Sequence, residues 1–99
     1  MDRKIRRTHG NVFKDLGFSA EEAENLRIRA VLMTRLGKLI RERALTQTEA
    51  ARLFSVSQPR ISDLVRGKID RFSIDTLVAM LGHAGVGVGL VLRSRRRVA

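Results

Sequence analysis

Residues 47–67 read QTEAARLFSVSQPRISDLVRG, and this stretch decides the fold. Thr46 precedes it, and Glu49 follows three residues later, the spacing of a capping box that starts a helix. Ser57 predicts a second helix start, and Pro59 lies in the first turn, where its missing N–H costs nothing. Gly67 predicts the end of that helix. The stretch therefore predicts two short helices joined by the three residues 55–57.

Two more helices flank this pair. Ser19 and Glu22 form another capping box, which predicts a long helix running to about Arg43. Ser73 predicts a later helix that continues through Ala84. The long helix has two apolar stripes and so should pack on two sides. One stripe is Leu26, Ala30, Met33, Ile40 and Ala44, and the other is Leu32, Leu36 and Leu39. The inward residues of the other helices are predicted to be Ala50, Ala51, Leu53 and Phe54, then Ile61, Leu64 and Val65, then Ile74, Leu77, Val78 and Leu81.

The segment 86–92, VGVGLVL, alternates apolar residues with glycine and predicts a β-strand. Val86, Val88, Leu90 and Leu92 would share one side of it. A lone strand leaves its backbone N–H and C=O groups unpaired, and the chain offers no second strong strand. We therefore expect a homodimer in which this strand pairs with its symmetry mate. The glycines between these residues would allow another backbone to approach closely.

Composition limits the classes of function. The 99 residues have 20 Lys and Arg against 10 Asp and Glu, a net charge of +10 that favours a polyanionic partner. No cysteine is present, and no apolar run reaches the roughly 18 residues that span a bilayer. The N-terminus lacks the apolar stretch of a signal peptide, so we expect a cytoplasmic protein without a membrane partner.

Two short helices and a tight turn in a basic helical domain predict a helix-turn-helix that binds double-stranded DNA. The second helix would enter the major groove, which is about 12 Å wide. The predicted base contacts are Gln58, Pro59, Arg60 and Ser62; the predicted backbone contacts are Gln47, Ser57, Arg66 and Lys68. Gln and Arg suit bidentate readout of adenine and guanine edges. Asp63, in the same exposed row, would oppose phosphate; a basic helical bundle without a DNA partner is the alternative.

Catalytic chemistry is not indicated. His9 and His83 are the only histidines, and no carboxylate cluster, P-loop or paired nucleophile and base is recognisable. We predict no enzyme activity, no cofactor and no metal. The predicted fold is mainly all-α, a bundle of four to five helices with a C-terminal strand. Its predicted divisions are an N-terminal arm at 1–18, the DNA-binding domain at 19–85, the dimerisation strand at 86–93 and a basic tail at 94–99.

Residues 47–67 resemble the helix-turn-helix of the phage-repressor-like Cro/C1, or XRE, family. The resemblance rests on Gln47, on the small Ala51 where the helices touch, on Ile61 and Leu64, and on the opening at 57–59. The chain departs from the family at Ser55, where glycine is usual. A left-handed backbone there is unfavourable for serine.

A narrower resemblance extends over residues 11–93. The segment NVFKDLG at 11–17, the long capped helix, LIRERALTQTEAARLF at 39–54 and the closing strand resemble HigA-type antitoxins. This resemblance implies a dimeric repressor of its own palindromic operator that neutralises a RelE/HigB-like mRNA-cleaving toxin. A stand-alone or phage-derived XRE regulator is one alternative. An RNA-associated basic protein is another, disfavoured because the chain has no Tyr or Trp for stacking.

Residues 11–26 admit two interpretations. Val12, Phe13, Leu16 and Phe18 are too apolar for a free arm and could pack on the stripe formed by Leu32, Leu36 and Leu39. Alternatively, residues 15–26 carry four carboxylates and no Lys or Arg, a charge that would attract a basic ribonuclease. On that interpretation, the toxin-binding residues are Val12, Phe13, Leu16, Glu21, Glu22 and Glu24.

Overall fold

The structure is a computed structural model that describes residues 11–94. Within that range the chain forms five α-helices and one 3-10 turn. They are α1 (Val12–Asp15), α2 (Ala20–Glu42), α3 (Gln47–Phe54), α4 (Gln58–Val65), the 3-10 turn Ile69–Arg71, and α5 (Ile74–His83). The predicted mainly helical bundle is confirmed. Residues 1–10 and 95–99, which include most of the predicted arm and basic tail, lie outside the described range.

The predicted helix starts are confirmed by their capping bonds. Ser19 and Thr46 each form both bonds of a capping box, with the glutamate three residues later returning a bond to the cap N–H. Ser57 and Ser73 accept N–H bonds through their hydroxyls. Each such cap stabilises a helix start by about 1 kcal/mol. The helices therefore begin where local sequence chemistry places them.

All five helices end in the same way, in a Schellman motif. In α5, for example, Gly85 N–H donates to Gly82 O and Val86 N–H donates to Leu81 O. This motif needs a residue with left-handed backbone just after the helix. The left-handed residues are Gly17, Ala44, Ser55, Gly67 and Gly85, with φ between 50° and 97°. Ser55 thus adopts left-handed backbone despite its cost to serine. The prediction that Ala44 lies in the apolar stripe of α2 is wrong, because that helix ends at Glu42.

The core lies where α2, α3, α4 and α5 converge. Leu36, Phe54, Ile61 and Leu77, one from each helix, are completely buried. Burial of each such side chain contributes about 1.5–3 kcal/mol. The other buried members of this core are Leu32, Met33, Leu39, Ala50, Ala51, Leu64, Phe72, Met80 and Leu81. Helix α4 is thus fixed from behind by the rest of the bundle.

The prediction that Val65 and Val78 face inward is wrong. Val65 and Val78 are 50% and 38% exposed. Each follows a buried leucine, and one residue along a helix rotates a side chain by about 100°, away from the core. Phe72 and Met80, which were not among the residues predicted to face inward, are buried in the core. Phe72 lies in a loop, where no periodicity marks it as a core residue.

The N-terminal segment does not pack where one interpretation placed it. Leu32, Leu36 and Leu39 belong to the main core, so they are not available to residues 11–18. Helix α1 instead contacts the start of α2. There Ala23 is completely buried, and Asn11 Nδ2 donates to its carbonyl at 2.9 Å. The segment is therefore anchored, but on the first turns of α2.

Residues 86–94 form no strand in the part of the chain that is described. Val86, predicted to lie on the strand face, packs against the core and closes α5 through its N–H bond to Leu81. Beyond it, Val88, Leu90 and Leu92 are 39%, 81% and 90% exposed. A ladder needs a second strand, and none lies alongside in residues 11–94. The predicted strand is therefore not confirmed in the single chain. None of the described helices is long and apolar enough to cross a membrane.

Candidate nucleic-acid interface

Helices α3 and α4 form a helix-turn-helix. They are joined by residues 55–57, and Ser55 turns the chain with φ 61° and ψ 46°. Ala51 of α3 is 9% exposed, and Ile61 and Leu64 bury the back of α4. This packing leaves the opposite side of α4 free to meet another molecule.

The eight predicted DNA-contact residues lie on or beside α3 and α4. Gln58 and Pro59 are exposed in the first turn of α4, while Arg60 and Ser62 are half-buried. Gln47 is the first residue of α3 and Ser57 the N-cap of α4, so both stand where backbone N–H groups favour a phosphate. Arg66 and Lys68 follow at the C-terminal end of α4. The two helix starts are coupled by Thr48, whose hydroxyl donates to Gln58 Oε1 at 3.5 Å.

Arg60 is held by the segment that follows α4. Its Nη1 donates to the carbonyl of Arg71 at 2.7 Å. Its Cζ lies 5.4 Å from the centroid of the Phe72 ring, within the range of a cation–π contact. The guanidinium is thus fixed by a hydrogen bond and an aromatic face.

The carboxylate of Asp63, which was expected to oppose phosphate, is paired. Arg71 Nη1 lies 3.3 Å from Asp63 Oδ2. The pair links α4 to the 3-10 turn. From the other side, Arg29 of α2 donates through Nη1 to the carbonyls of Ile69 and Phe72, at 3.0 and 3.2 Å. The turn is therefore tied to both α2 and α4.

Three residues of this arrangement were missed from sequence: Arg29, Arg71 and Phe72. Arg29 is about forty residues from its carbonyl partners, so no local spacing reveals the contact. The one available signal was a large apolar residue, Phe72, between two helices. Arg29, Arg60, Arg71 and Phe72 also line a shallow groove of about 490 Å³ beside α4.

The acidic surface before and within α2 is partly neutralised by its own helix. Glu22 caps the backbone at Ser19. Glu24 makes two bonds to Arg27, at 3.1 and 2.8 Å. These bonds raise the pKa of Arg27 above its usual value, against the opposing effect of desolvation. Glu21 lies in the first turn of α2 and is exposed.

Next to these carboxylates lies an apolar surface. The rings of Phe13 and Phe18 meet edge to face, with centroids 6.3 Å apart. Val12, Leu16 and Phe18 are 51%, 69% and 43% exposed. Phe18 also lines a groove of about 370 Å³ with Glu21, Glu22, Asn25, Leu26 and Arg29. Apolar and acidic side chains therefore share one surface. Residues 11–94 contain no group of three side chains that could bind a metal ion.

Comparison with known proteins agrees with this geometry. A family model described as "Helix-turn-helix domain" matches residues 12–93. A solved structure described as "Putative XRE Family Transcriptional Regulator" is similar over 79% of this chain and 90% of that chain, with 30% identity and a TM-score of 0.70. No curated protein is significantly similar in sequence. The chain belongs to the helix-turn-helix class and, within it, to the XRE family of DNA-binding transcriptional regulators.

This membership confirms the predicted helix-turn-helix and its XRE type. It also agrees with the prediction that the chain is not an enzyme, because the family consists of DNA-binding regulators.

Proposed function

We propose that the chain represses transcription by binding a palindromic operator as a homodimer. The observation that carries the proposal is the first turn of α4, where Gln58 and Pro59 are exposed and Arg60 is half-exposed. Ile61 and Leu64 anchor the back of the helix. In this proposal the base contacts are Gln58, Pro59, Arg60 and Ser62, and the phosphate contacts are Gln47, Ser57, Arg66 and Lys68. The net charge of +10 supports a polyanionic partner. Because Asp63 is paired with Arg71, its charge opposes the phosphates less.

The dimer would form through residues 86–93. The exposure of Leu90 and Leu92 supports this, since burying exposed apolar side chains against a second copy would stabilise the dimer. A β-carbon added at Gly87 or Gly89 would meet nothing within 4 Å in the single chain, so both leave room for a neighbouring backbone. A twofold axis through the paired strands would separate the two α4 helices by about 34 Å, one turn of DNA.

Two glutamines test the readout. The operator is first selected from random duplexes with the purified protein, and affinities are then measured at fixed salt. Gln58→Ala should relax specificity at one base pair, at a cost of about 1–3 kcal/mol. Gln47→Ala, the matched control, should weaken binding to all duplexes equally, because it removes a phosphate contact. Uniform weakening by both variants would contradict base readout by Gln58.

We further propose that the protein is the antitoxin of a RelE/HigB-like mRNA-cleaving toxin. The toxin would bind the surface formed by Val12, Phe13, Leu16, Glu21, Glu22 and Glu24. Support comes from its exposed apolar side chains next to carboxylates, which complement a basic ribonuclease. This surface lies on α1 and the start of α2 and includes no residue of α3 or α4, so in this proposal a toxin-bound repressor could still bind its operator. Both activities would take place in the cytoplasm.

Two exposed apolar residues provide a matched test of the toxin surface. Leu16 and Val31 are 69% and 57% exposed, but Val31 lies on α2 outside the proposed surface. Each is changed to Asp, and the protein is co-expressed with the product of the adjacent gene. Leu16→Asp should abolish co-purification and growth rescue while operator binding persists; Val31→Asp should behave as wild type. Full neutralisation by Leu16→Asp would place the toxin site elsewhere.

The purified protein, the adjacent gene product and the selected operator duplex also distinguish the alternative functions. If the adjacent gene product neither binds nor inhibits growth, the chain is a stand-alone or phage-derived XRE regulator. If structured RNA competes as well as the selected operator duplex, the RNA-associated alternative is favoured.

A further inference from the structure

The contacts of Arg60 define what its guanidinium can still do. Only one of its five N–H groups donates to the Arg71 carbonyl. The Cζ atom lies over the Phe72 ring, 5.4 Å from its centroid, and the other four N–H groups form no hydrogen bond within residues 11–94. Arg60 is also half-exposed and lines the groove beside α4. A fixed guanidinium with a free edge is the arrangement that bidentate recognition of a guanine requires.

Such fixation matters because a free arginine loses considerable rotamer entropy on binding. Phe72 is 2% exposed, so its ring is itself held by the core. The Arg71 carbonyl belongs to the turn that Arg29 ties to α2. Both anchors of Arg60 are therefore parts of the rigid bundle. Fixing a side chain before binding reduces the cost of ordering it in the complex.

The ion pair between Asp63 and Arg71 also helps to leave Arg60 available for DNA. Asp63 follows Arg60 by three residues on α4, a spacing at which opposite charges pair on a helix. Its carboxylate is bonded to Arg71 instead, at 3.3 Å. Arg60 thereby keeps its charge and its free edge for an external partner.

We propose that Phe72 and the Arg71 carbonyl hold Arg60 in the orientation that reads guanine in the operator. Phe72 is then a positioning residue for specificity, although it is buried and does not touch DNA. This inference rests on the proposed function, in which α4 reads base edges.

A double-mutant cycle between Arg60→Ala and Phe72→Leu tests the inference. Phe72→Leu keeps an apolar side chain in the core and removes the aromatic face. The quantity measured is the ratio of affinities for the operator and for an operator changed at the base pair that Arg60→Ala affects. Phe72→Leu should reduce this ratio about 2- to 30-fold. In the Arg60→Ala background it should leave the ratio unchanged. In both backgrounds Phe72→Leu should leave the affinity for non-specific DNA unchanged.

A second measurement does not depend on a core substitution. In the free full-length protein, the Arg60 Nε–H resonance should be shifted by the ring current of Phe72. Arg60→Lys identifies the resonance by its disappearance, and this variant should lose the same discrimination while it keeps its charge. A resonance at the position of an exposed arginine would overturn the inference.

The outcomes separate the inference from the proposed function. If the wild type selects an operator and Arg60→Ala relaxes one position, but the two substitutions act additively, the positioning role is overturned and the repressor function stands. If the wild type prefers no duplex sequence, both are overturned.

Discussion

The helix-turn-helix and the segment after α5 place their apolar side chains in opposite environments. In the first, Phe54, Ile61 and Leu64 are at most 5% exposed. In the second, Leu90 and Leu92 are at least 81% exposed. The helix-turn-helix is therefore packed within one chain, whereas the segment after α5 has apolar surface that nothing in residues 11–94 covers. The difference separates what the chain needs to fold from what it offers to partners.

The N-terminal segment is intermediate between these two. Asn11 and Ala23 anchor it to α2, and the rings of Phe13 and Phe18 are in contact. Leu16 nevertheless remains largely in solvent. Anchoring fixes the position of α1 without burying its outer side, which leaves that side available for the proposed toxin contact.

The largest expected effect concerns folding itself. Ile61→Ala should lower the free energy of unfolding by about 2–5 kcal/mol, because it opens a cavity in a fully packed core. Leu16→Ala should change it by less than about 0.5 kcal/mol, since little buried surface is lost. Urea unfolding followed by circular dichroism measures both. A comparable loss for the two would mean that Leu16 is already covered in the free protein.

The next effect would decide whether the exposed C-terminal segment pairs with a second copy. Val88→Pro removes a backbone donor from the proposed strand. We expect monomers and a loss of operator affinity of about 100-fold or more, because the two half-sites are no longer bound together. Sedimentation and gel shifts measure the two effects.

Val88→Ala is the control for that experiment. It shortens the same side chain but keeps the N–H, so it should remain dimeric. A wild type that sediments as a monomer at micromolar concentration would refute the proposed dimer before any variant is made.

The elements that sequence predicted correctly are those specified by neighbouring residues. Ser19, Thr46, Ser57 and Ser73 start their helices because each cap acts within three residues. The three-residue turn at 55–57 has the same local origin. The proposed DNA-contact residues could be named for this reason, because their placement on α3 and α4 follows from the helix boundaries.

What could not be predicted depends on contacts between distant parts of the chain. The fixation of Arg60 needs Arg71 and Phe72, more than ten residues away, in a segment without periodic pattern. Apolar type alone does not determine burial either: Val65 is apolar, but its position about the α4 axis turns it outward. The proposed strand at 86–92 would depend on a second copy of the chain.

A smaller effect concerns the two helix ends closed without glycine. Ser55 and Ala44 adopt left-handed backbone at φ 61° and 50°, which costs an L-residue about 1–2 kcal/mol. Ser55→Gly should remove that cost but add unfolded-state entropy, for a net gain in stability of about 0.5–1 kcal/mol. Thermal unfolding measures the change.

Gly67→Ala tests the same backbone argument in reverse. Gly67 has φ 70°, and an added β-carbon would meet nothing within 4 Å. Its destabilisation should therefore be the backbone strain minus the stabilisation from a less flexible unfolded chain, a net loss of about 0.5–1 kcal/mol. If Ser55→Gly lowers the stability, the serine side chain must make a stabilising contribution that exceeds the cost of its backbone conformation.

The smallest expected effect concerns Lys68, which is proposed to act only in binding DNA. Lys68 is proposed to contact a phosphate, and each such contact releases counterions when DNA binds. Lys68→Ala should reduce the slope of log affinity against log salt by about 0.9 and leave sequence preference intact. Lys38→Ala is the matched control, because it removes the same charge from α2, where Lys38 pairs with Glu42 at 3.8 Å. Its slope should equal that of the wild type. Equal reductions in the two variants would mean that DNA senses the net charge of the chain rather than a contact at Lys68, and the region around α4 would then lose one of its proposed phosphate contacts.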